Sequence, residues 1–347
     1  MKSKFLIGFV LLMISLTTLL SLVPGHNGDM PFYIASVIEK ERGPQKDVLQ
    51  KTKEVLEKEL PAAEFVKHVK RIDEAPGNIL DFYHIKPLYI TMVAGLHQLG
   101  FSYIVSTLLP SIIAYFFLGI LTFAWASRTL PPVQGFLVSA LLMLIYPAVI
   151  LVRLSTPDAL SNLIILAILY LIYFEKNKWL VLALLFISLW VRMDNIVFLL
   201  VILTGLRYWP EQGSENKLGP KIFIVLLLAA VGMVVAMNYF LEADFWWFKR
   251  VTYAFSPPAY GRQLLVYFLS FSKSFSMAII IMFVLIHYRQ KFKLTEKSGF
   301  LFLVIMGIFI ARLILFPSLE DRFVAAYYIA AILLLAEKCI AQKQVSG

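Results

Sequence analysis

Long stretches of this chain carry almost no charge. Apolar runs at 5–23, 102–126, 134–152, 159–174, 178–191, 195–208, 221–240, 263–287, 299–316 and 323–338 cover most of it. A bilayer span needs about 20 apolar residues, and somewhat fewer where neighbouring helices bury it. In lipid the backbone must satisfy its own hydrogen bonds, and continuous apolar runs of this length do so as helices. The sequence therefore predicts an all-α, polytopic membrane bundle of about ten spans, a single transmembrane domain over 1–347. The runs 178–191 and 195–208 are short, and read equally as two helices or as one span broken at "RMDN".

Composition excludes the soluble alternative. Only 16% of the residues are charged, where a soluble domain carries about 25%, and the mean hydropathy is +0.78. The net charge of +10 does not indicate a nucleic-acid partner. The basic residues sit between apolar runs, as loops flanking a membrane do. A lone cysteine, Cys339, excludes an intrachain disulfide and a Cys-rich metal site. The start, "MKSKFLIGFVLLMISLTTLLSLV", has a longer apolar core than a signal peptide, and "SLVPG" is a poor cleavage site. It reads as a retained first span, with a cleaved signal peptide as the alternative.

Placing the N-terminus in the cytoplasm puts most basic residues on the inner side. Lys2, Lys4, Arg128, Lys178, Arg207, Lys221 and the run "HYRQKFKLTEK" then all face inward. Both termini are cytoplasmic in this arrangement. The opposite face collects the unusual polar segments: "NGDMPFY", "RLSTPDAL", "VRMDN", "PSLEDRF" and the first outer loop, 24–101. Within that loop Val48, Leu49, Val55, Leu56 and Leu60 have helical spacing up to Pro61, and a second helix is expected over Ala62–Arg71. The segment "DFYHIKPLYITMVAGLHQLG" reads as one interfacial helix.

Several residues are candidates for chemistry. Asp29, at a membrane boundary, is either a helix cap before Pro31 or a working carboxylate. Lys86, in "YHIKPLY", is a snorkelling lysine or a point charge for a phosphate. Asp158 starts an apolar run, as a favourable first-turn acid would. Arg192 and Asp194 stand two apart in greasy surroundings. On one helix they cannot face each other, so each needs other partners or the chain must break. Before the final run come Glu320, Asp321 and Arg322. Arg322 presents a fork suited to phosphate or carboxylate. The outer loop near Trp246, Trp247, Tyr253 and Tyr260 is a sugar-stacking surface or an interfacial belt.

The order of these segments resembles the GT-C class of integral membrane glycosyltransferases. It is closest in style to the bacterial group of protein O-mannosyltransferases and aminoarabinose transferases. The resemblance rests on Gly28, Asp29 and Tyr33 after the first span, on "KPLY" from Lys86 to Tyr89 closing the first outer loop, on "RMDN", and on "LEDRF" before the last span. It covers most of the chain through short, degenerate motifs. It implies a polyprenyl-phosphate-linked sugar as donor and an acceptor hydroxyl or amine of a glycan, lipid or protein on the outer face. It also implies inversion at the anomeric carbon and a bacterial inner membrane. Asp29 matches the family's base in the first outer loop. Lys86 and Arg322 are then expected on the donor phosphate, with Tyr33, His84, Tyr89, Asp158, Arg192, Asp194 and Glu320 in support. Some of the family use a divalent metal. Asp29, Asp158 or Glu320 with His84 offers ligands, but the spacing does not call for one. The larger members carry a soluble C-terminal domain, which is not expected here, and that weighs against a polymeric or protein acceptor. The competing readings are a transporter or lipid flippase using Arg192 and Asp194, a polymerase or ligase of surface glycans, and a non-catalytic envelope assembly protein.

Overall fold

A computed structural model describes residues 2–43, 47–75, 79–175, 177–208, 218–241, 258, 261–262, 296–315 and 321–345. The expected span 263–287, Glu320 and the aromatic outer loop around Trp246 lie outside the described residues. Every regular element described is helical. In chain order these are α1 (Lys2–Ser21), α2 (Met30–Arg42), α3 (Val48–Glu59), α4 (Ala62–Asp73), α5 (Ile79–His84), α6 (Pro87–Gln98), α7 (Tyr103–Thr129) and α8 (Pro132–Leu144). They continue with α9 (Tyr146–Arg153), α10 (Asp158–Phe174), α11 (Lys178–Val191), α12 (Ile196–Tyr208), α13 (Pro220–Phe240), α14 (Lys297–Leu315) and α15 (Ala325–Val345). Short 3-10 turns cover Met193–Asn195 and Asp321–Phe323.

By length and composition, three described helices (α1, α7 and α13) can cross a membrane, or four spans if the bent pair α8–α9 counts as one. Helices α10, α11 and the described apolar part of α14 are apolar but shorter. The expected count of about ten is therefore not reached among the described residues.

Helix α1 has the surface expected of a helix able to cross a membrane. Only Phe9, Met13 and Thr17 are buried, one residue per turn. Leu6, Ile7, Leu11, Ile14 and Leu19 are exposed. An all-round apolar helix with one narrow buried stripe suits a hydrocarbon surround. That stripe packs on α7, where Phe9 stacks on Phe123 at 4.6 Å. Gly119 of α7 leaves room for the Met13 side chain, which any β-carbon there would strike.

Two expected helices are broken, each at a proline. The run 134–152 bends by 60° at Ile145, between α8 and α9. Pro147 has no N–H for the carbonyl of Met143, four residues back. The Tyr115 hydroxyl of α7 donates to that carbonyl instead, at 2.6 Å. The interfacial helix expected over "DFYHIKPLYITMVAGLHQLG" is two helices, α5 and α6. Pro87 disfavours helical backbone at the residue before it, and Lys86 sits at φ −125°, ψ 53°.

The helices between α1 and α7 have their own core. Met30, Phe32, Tyr33, Ile34 and Val37 of α2 pack with Leu56, Tyr83, Tyr89 and Val93. Helices α3 and α4 confirm the spacing of the loop's apolar residues. The loop is bolted to the membrane bundle at the start of α7, whose first N–H groups lack helical partners. The Glu59 carboxylate, at the end of α3, accepts from the backbone N–H of Tyr103 at 3.1 Å and of Ile104 at 2.9 Å. Replacing Glu59 with alanine is expected to lower stability by about 1–2 kcal/mol, as loss of a helix cap does. Thermal unfolding of the purified protein in detergent checks this, and an unchanged midpoint would contradict the bolt.

Candidate functional site

The turn after α1 is held by the segment before α10. Gly25 N–H donates to the Arg153 carbonyl at 2.7 Å, and Arg153 Nε donates to the Val23 carbonyl at 2.8 Å. Asn27 Oδ1 accepts from the Ser155 N–H at 3.1 Å. The two loops therefore deliver Asp29 and Asp158 to the same place. On the turn's other side, Arg71 of α4 donates through Nε to the Gly28 carbonyl at 3.0 Å. The Arg71 guanidinium packs directly over Gly28, in the space a β-carbon would take.

Asp29 occupies the cap position of α2, yet its side chain makes no cap hydrogen bond. It accepts instead from the Tyr83 hydroxyl at 2.8 Å and from Asn27 Nδ2 at 3.3 Å, and Arg322 Nη2 lies 3.6 Å away. Arg322 bridges onward, with Nε 3.4 Å from Asp158 Oδ2. Asp158 accepts from the Thr156 hydroxyl at 2.9 Å and pairs with Arg192 Nη1. Arg192 in turn makes a two-pronged pair with Asp194, both contacts at 2.9 Å. The result is a row of alternating charges: Asp194, Arg192, Asp158, Arg322, Asp29. Both guanidinium groups lie over the Phe323 ring, at 4.4 and 4.9 Å.

The Arg192–Asp194 pair settles a question left open by the sequence. Two residues apart on a helix they could not meet, and the chain does break there. Arg192 is extended, at φ −153° and ψ 119°, before the 3-10 turn. Asn195 secures the break by donating to the Ser188 carbonyl at 3.0 Å.

Lys86 does not snorkel. It is 6% exposed, and its Nζ lies 3.8, 4.6 and 5.2 Å from the ring centroids of Phe82, Tyr83 and Tyr33. Among the described residues it makes one hydrogen bond, a long one of 3.3 Å to the Phe82 carbonyl. Burial pulls its ammonium down to about 7, against the opposing charge of Asp29. For Asp29, burial pushes the carboxyl up, but Arg322, then Lys86, the Tyr83 hydrogen bond and Arg71 outweigh it. The net direction is downward, so Asp29 is ionised at neutral pH. Tyr33 is pushed well up, first by burial and then by Asp29, and stays a neutral phenol.

Exposure separates the acids. Asp158 is 2% exposed and Asp194 11%, whereas Asp29 retains 26%. Of the three, Asp29 is the most open to an incoming molecule.

Asp29, Lys86, Arg322, Asp158, Arg192, Asp194 and Tyr33 are thus neighbours. Tyr89 forms a wall, edge-on to Tyr33 at 4.9 Å and donating to the Thr107 carbonyl at 2.6 Å. His84 turns instead to Glu39, at 2.8 Å. Among the described residues no three His, Cys, Asp or Glu side chains are grouped to hold a metal ion, and Glu320, the other ligand considered with His84, lies outside them. Tyr83, Asn27, Thr156, Phe323 and Asn162 were missed by sequence reasoning. Asn162 staples α10 to the Arg322 segment: its amide donates to the carbonyls of Asp158 and Arg322, at 2.8 and 2.7 Å, and accepts from the Ala326 N–H at 2.8 Å. Its signal was its place four residues after Asp158, on the same helix face.

No protein-family model matches the chain, and neither curated proteins nor solved structures give a match.

Asp158 and Asp29 should respond differently to substitution. Asp158→Ala removes the buried acid shared by Arg192 and Arg322, leaving Arg192 with Asp194 and Arg322 with Asp29, and is expected to cost about 2–3 kcal/mol, as losing buried hydrogen bonds to charged groups does. Asp29→Asn keeps an acceptor for Tyr83 at an open position and is expected to cost less than about 1.5 kcal/mol. Thermal unfolding of the two purified variants checks this. Equal losses would remove the distinction between a buried hub and an available acid.

Proposed function

We propose that this protein is a membrane glycosyltransferase of GT-C type that moves a hexosyl or pentosyl group from a polyprenyl-phosphate donor to an acceptor hydroxyl or amine. The observation that carries this reading is the juxtaposition of an accessible carboxylate, Asp29, with a buried, acid-free lysine, Lys86. They come from two ends of the first outer loop. Among the described residues Lys86 has no carboxylate within ion-pair distance, so its ammonium is available to an incoming anion. A phosphate entering the aromatic cage would supply the counter-charge that burial now withholds.

In the proposed reaction Asp29 accepts the proton of the acceptor hydroxyl or amine as that atom bonds to the anomeric carbon. The bond from the anomeric carbon to the phosphate oxygen breaks, and its electron pair leaves with the phosphate. Ion pairing makes Asp29 a weak base, so proton removal proceeds together with bond formation. Base assistance of this kind contributes about 10²–10⁴-fold. Lys86 takes the leaving phosphate's charge. Arg322 already serves two acids, so its part is to hold Asp29 ionised, with phosphate contact secondary. Ionised Asp29 and protonated Lys86 coexist at acid to neutral pH, and this window closes as pH rises through about 7. The proposal keeps about ten spans, cytoplasmic termini, an outer-face site and a bacterial inner membrane.

A transporter is the second reading, favoured by one observation. The break at Arg192 gives a discontinuous helix at a charged centre, as transport sites often have.

Mass spectrometry of surface glycans, glycolipids and lipid-linked sugars separates the two. It would compare wild type, a deletion strain and Asp29→Asn at matched membrane levels. The transferase reading expects the deletion and Asp29→Asn to lose the same sugar while the lipid-linked donor accumulates. A wild-type profile from Asp29→Asn alongside a deletion phenotype would overturn the role of Asp29.

A further inference from the structure

Tyr83 opens the segment "YHIKPLY" without standing out in it, yet it touches both of the site's working groups. Its hydroxyl donates to Asp29 Oδ1 at 2.8 Å. Its ring lies 4.6 Å from Lys86 Nζ. The ring cannot easily turn: it is 3% exposed, stacked on Phe32 at 5.2 Å and edge-on to Tyr33 at 4.8 Å. Phe82 meets it edge-on at 5.2 Å from the neighbouring position. A phenol held in this way has its O–H aimed before any substrate arrives, so its orientation costs little when the reaction begins.

We propose that Tyr83 is the positioning residue of this site, holding the Asp29 carboxylate with its hydroxyl and the Lys86 ammonium with its ring face, so that acid and cation keep one fixed register. The role rests on the reading of Asp29 as the base. A donor to an ionised carboxylate favours the ionised form. Losing this one should make Asp29 easier to protonate while the aromatic cage of Lys86 stays intact. The aromatic part of Tyr83 therefore belongs to anion binding and the hydroxyl to the acid, and one side chain couples the two.

The test reads Asp29 without requiring turnover. Dicyclohexylcarbodiimide reacts with protonated carboxyl groups in apolar surroundings, and peptide mass mapping follows its adduct at Asp29 as pH is lowered. Tyr83→Phe retains the ring and is expected to move the labelling midpoint upward by about one pH unit. Site-specific 3-fluorotyrosine at position 83, a near-isosteric and stronger donor, is expected to move it downward, which guards against a fold defect in the phenylalanine variant. Tyr103→Phe, whose hydroxyl bonds Glu41 at 3.0 Å, serves as the distant control and should leave the midpoint in place. An unmoved midpoint in both position-83 variants would overturn the proposal. A second arm measures transfer: Tyr83→Phe should lower kcat about tenfold with the donor KM changed less than twofold, since the hydroxyl acts through the base and not through anion binding. A shifted midpoint with no transferase activity in any form of the protein would strike the functional reading alone, and leave the Tyr83–Asp29 coupling standing.

Discussion

The site and the segments around it depend on one row of alternating charges, Asp194, Arg192, Asp158, Arg322 and Asp29. Each interior member touches a neighbour of opposite sign on both sides, which is what lets ionised groups persist away from water. The row also does topological work. It ties the turn after α1, the start of α10, the break between α11 and α12, and the segment before α15. Those four places are far apart in sequence and are each irregular. Lys86 lies next to this row in its aromatic cage and adds a cation that acts on Asp29.

Much of this was legible beforehand, and for identifiable reasons. Apolar period and length fixed the helical character. The spacing of Val48, Leu49, Val55, Leu56 and Leu60 predicted α3, and Ala62–Arg71 predicted α4 to within two residues. Polar residues that the apolar surroundings could not explain marked Asp29, Asp158, Arg192, Asp194 and Arg322. The aromatic contribution was not legible. Tyr83 and Phe323 are ordinary residues in an aromatic-rich chain, and their roles arise from tertiary placement. Nor could the sequence say that His84 would turn to Glu39, a partner 45 residues away in the chain. The bend at Ile145 was signalled by Pro147, but its accommodation by the Tyr115 hydroxyl required the fold.

Stability and proposed function divide along the same row. Asp158 is sealed and doubly paired, a structural hub. Asp29 is the row's open end, and Lys86 lies beside it with no carboxylate within ion-pair distance among the described residues. Burying a cation in this way costs folding energy, and such costs gather at functional sites where a ligand later relieves them. That logic favours an anionic ligand whichever way the reaction proceeds, and a lipid-linked phosphate suits an anion site set beside membrane helices.

Native mass spectrometry of the protein released directly from membranes tests that central claim most directly. It would compare wild type with Lys86→Met for retained polyprenyl-phosphate species. The account predicts that wild type carries such a lipid and that Lys86→Met, folded and at least as thermally stable, does not. Equal retention by both proteins, or retention of neutral lipids alone, would contradict it.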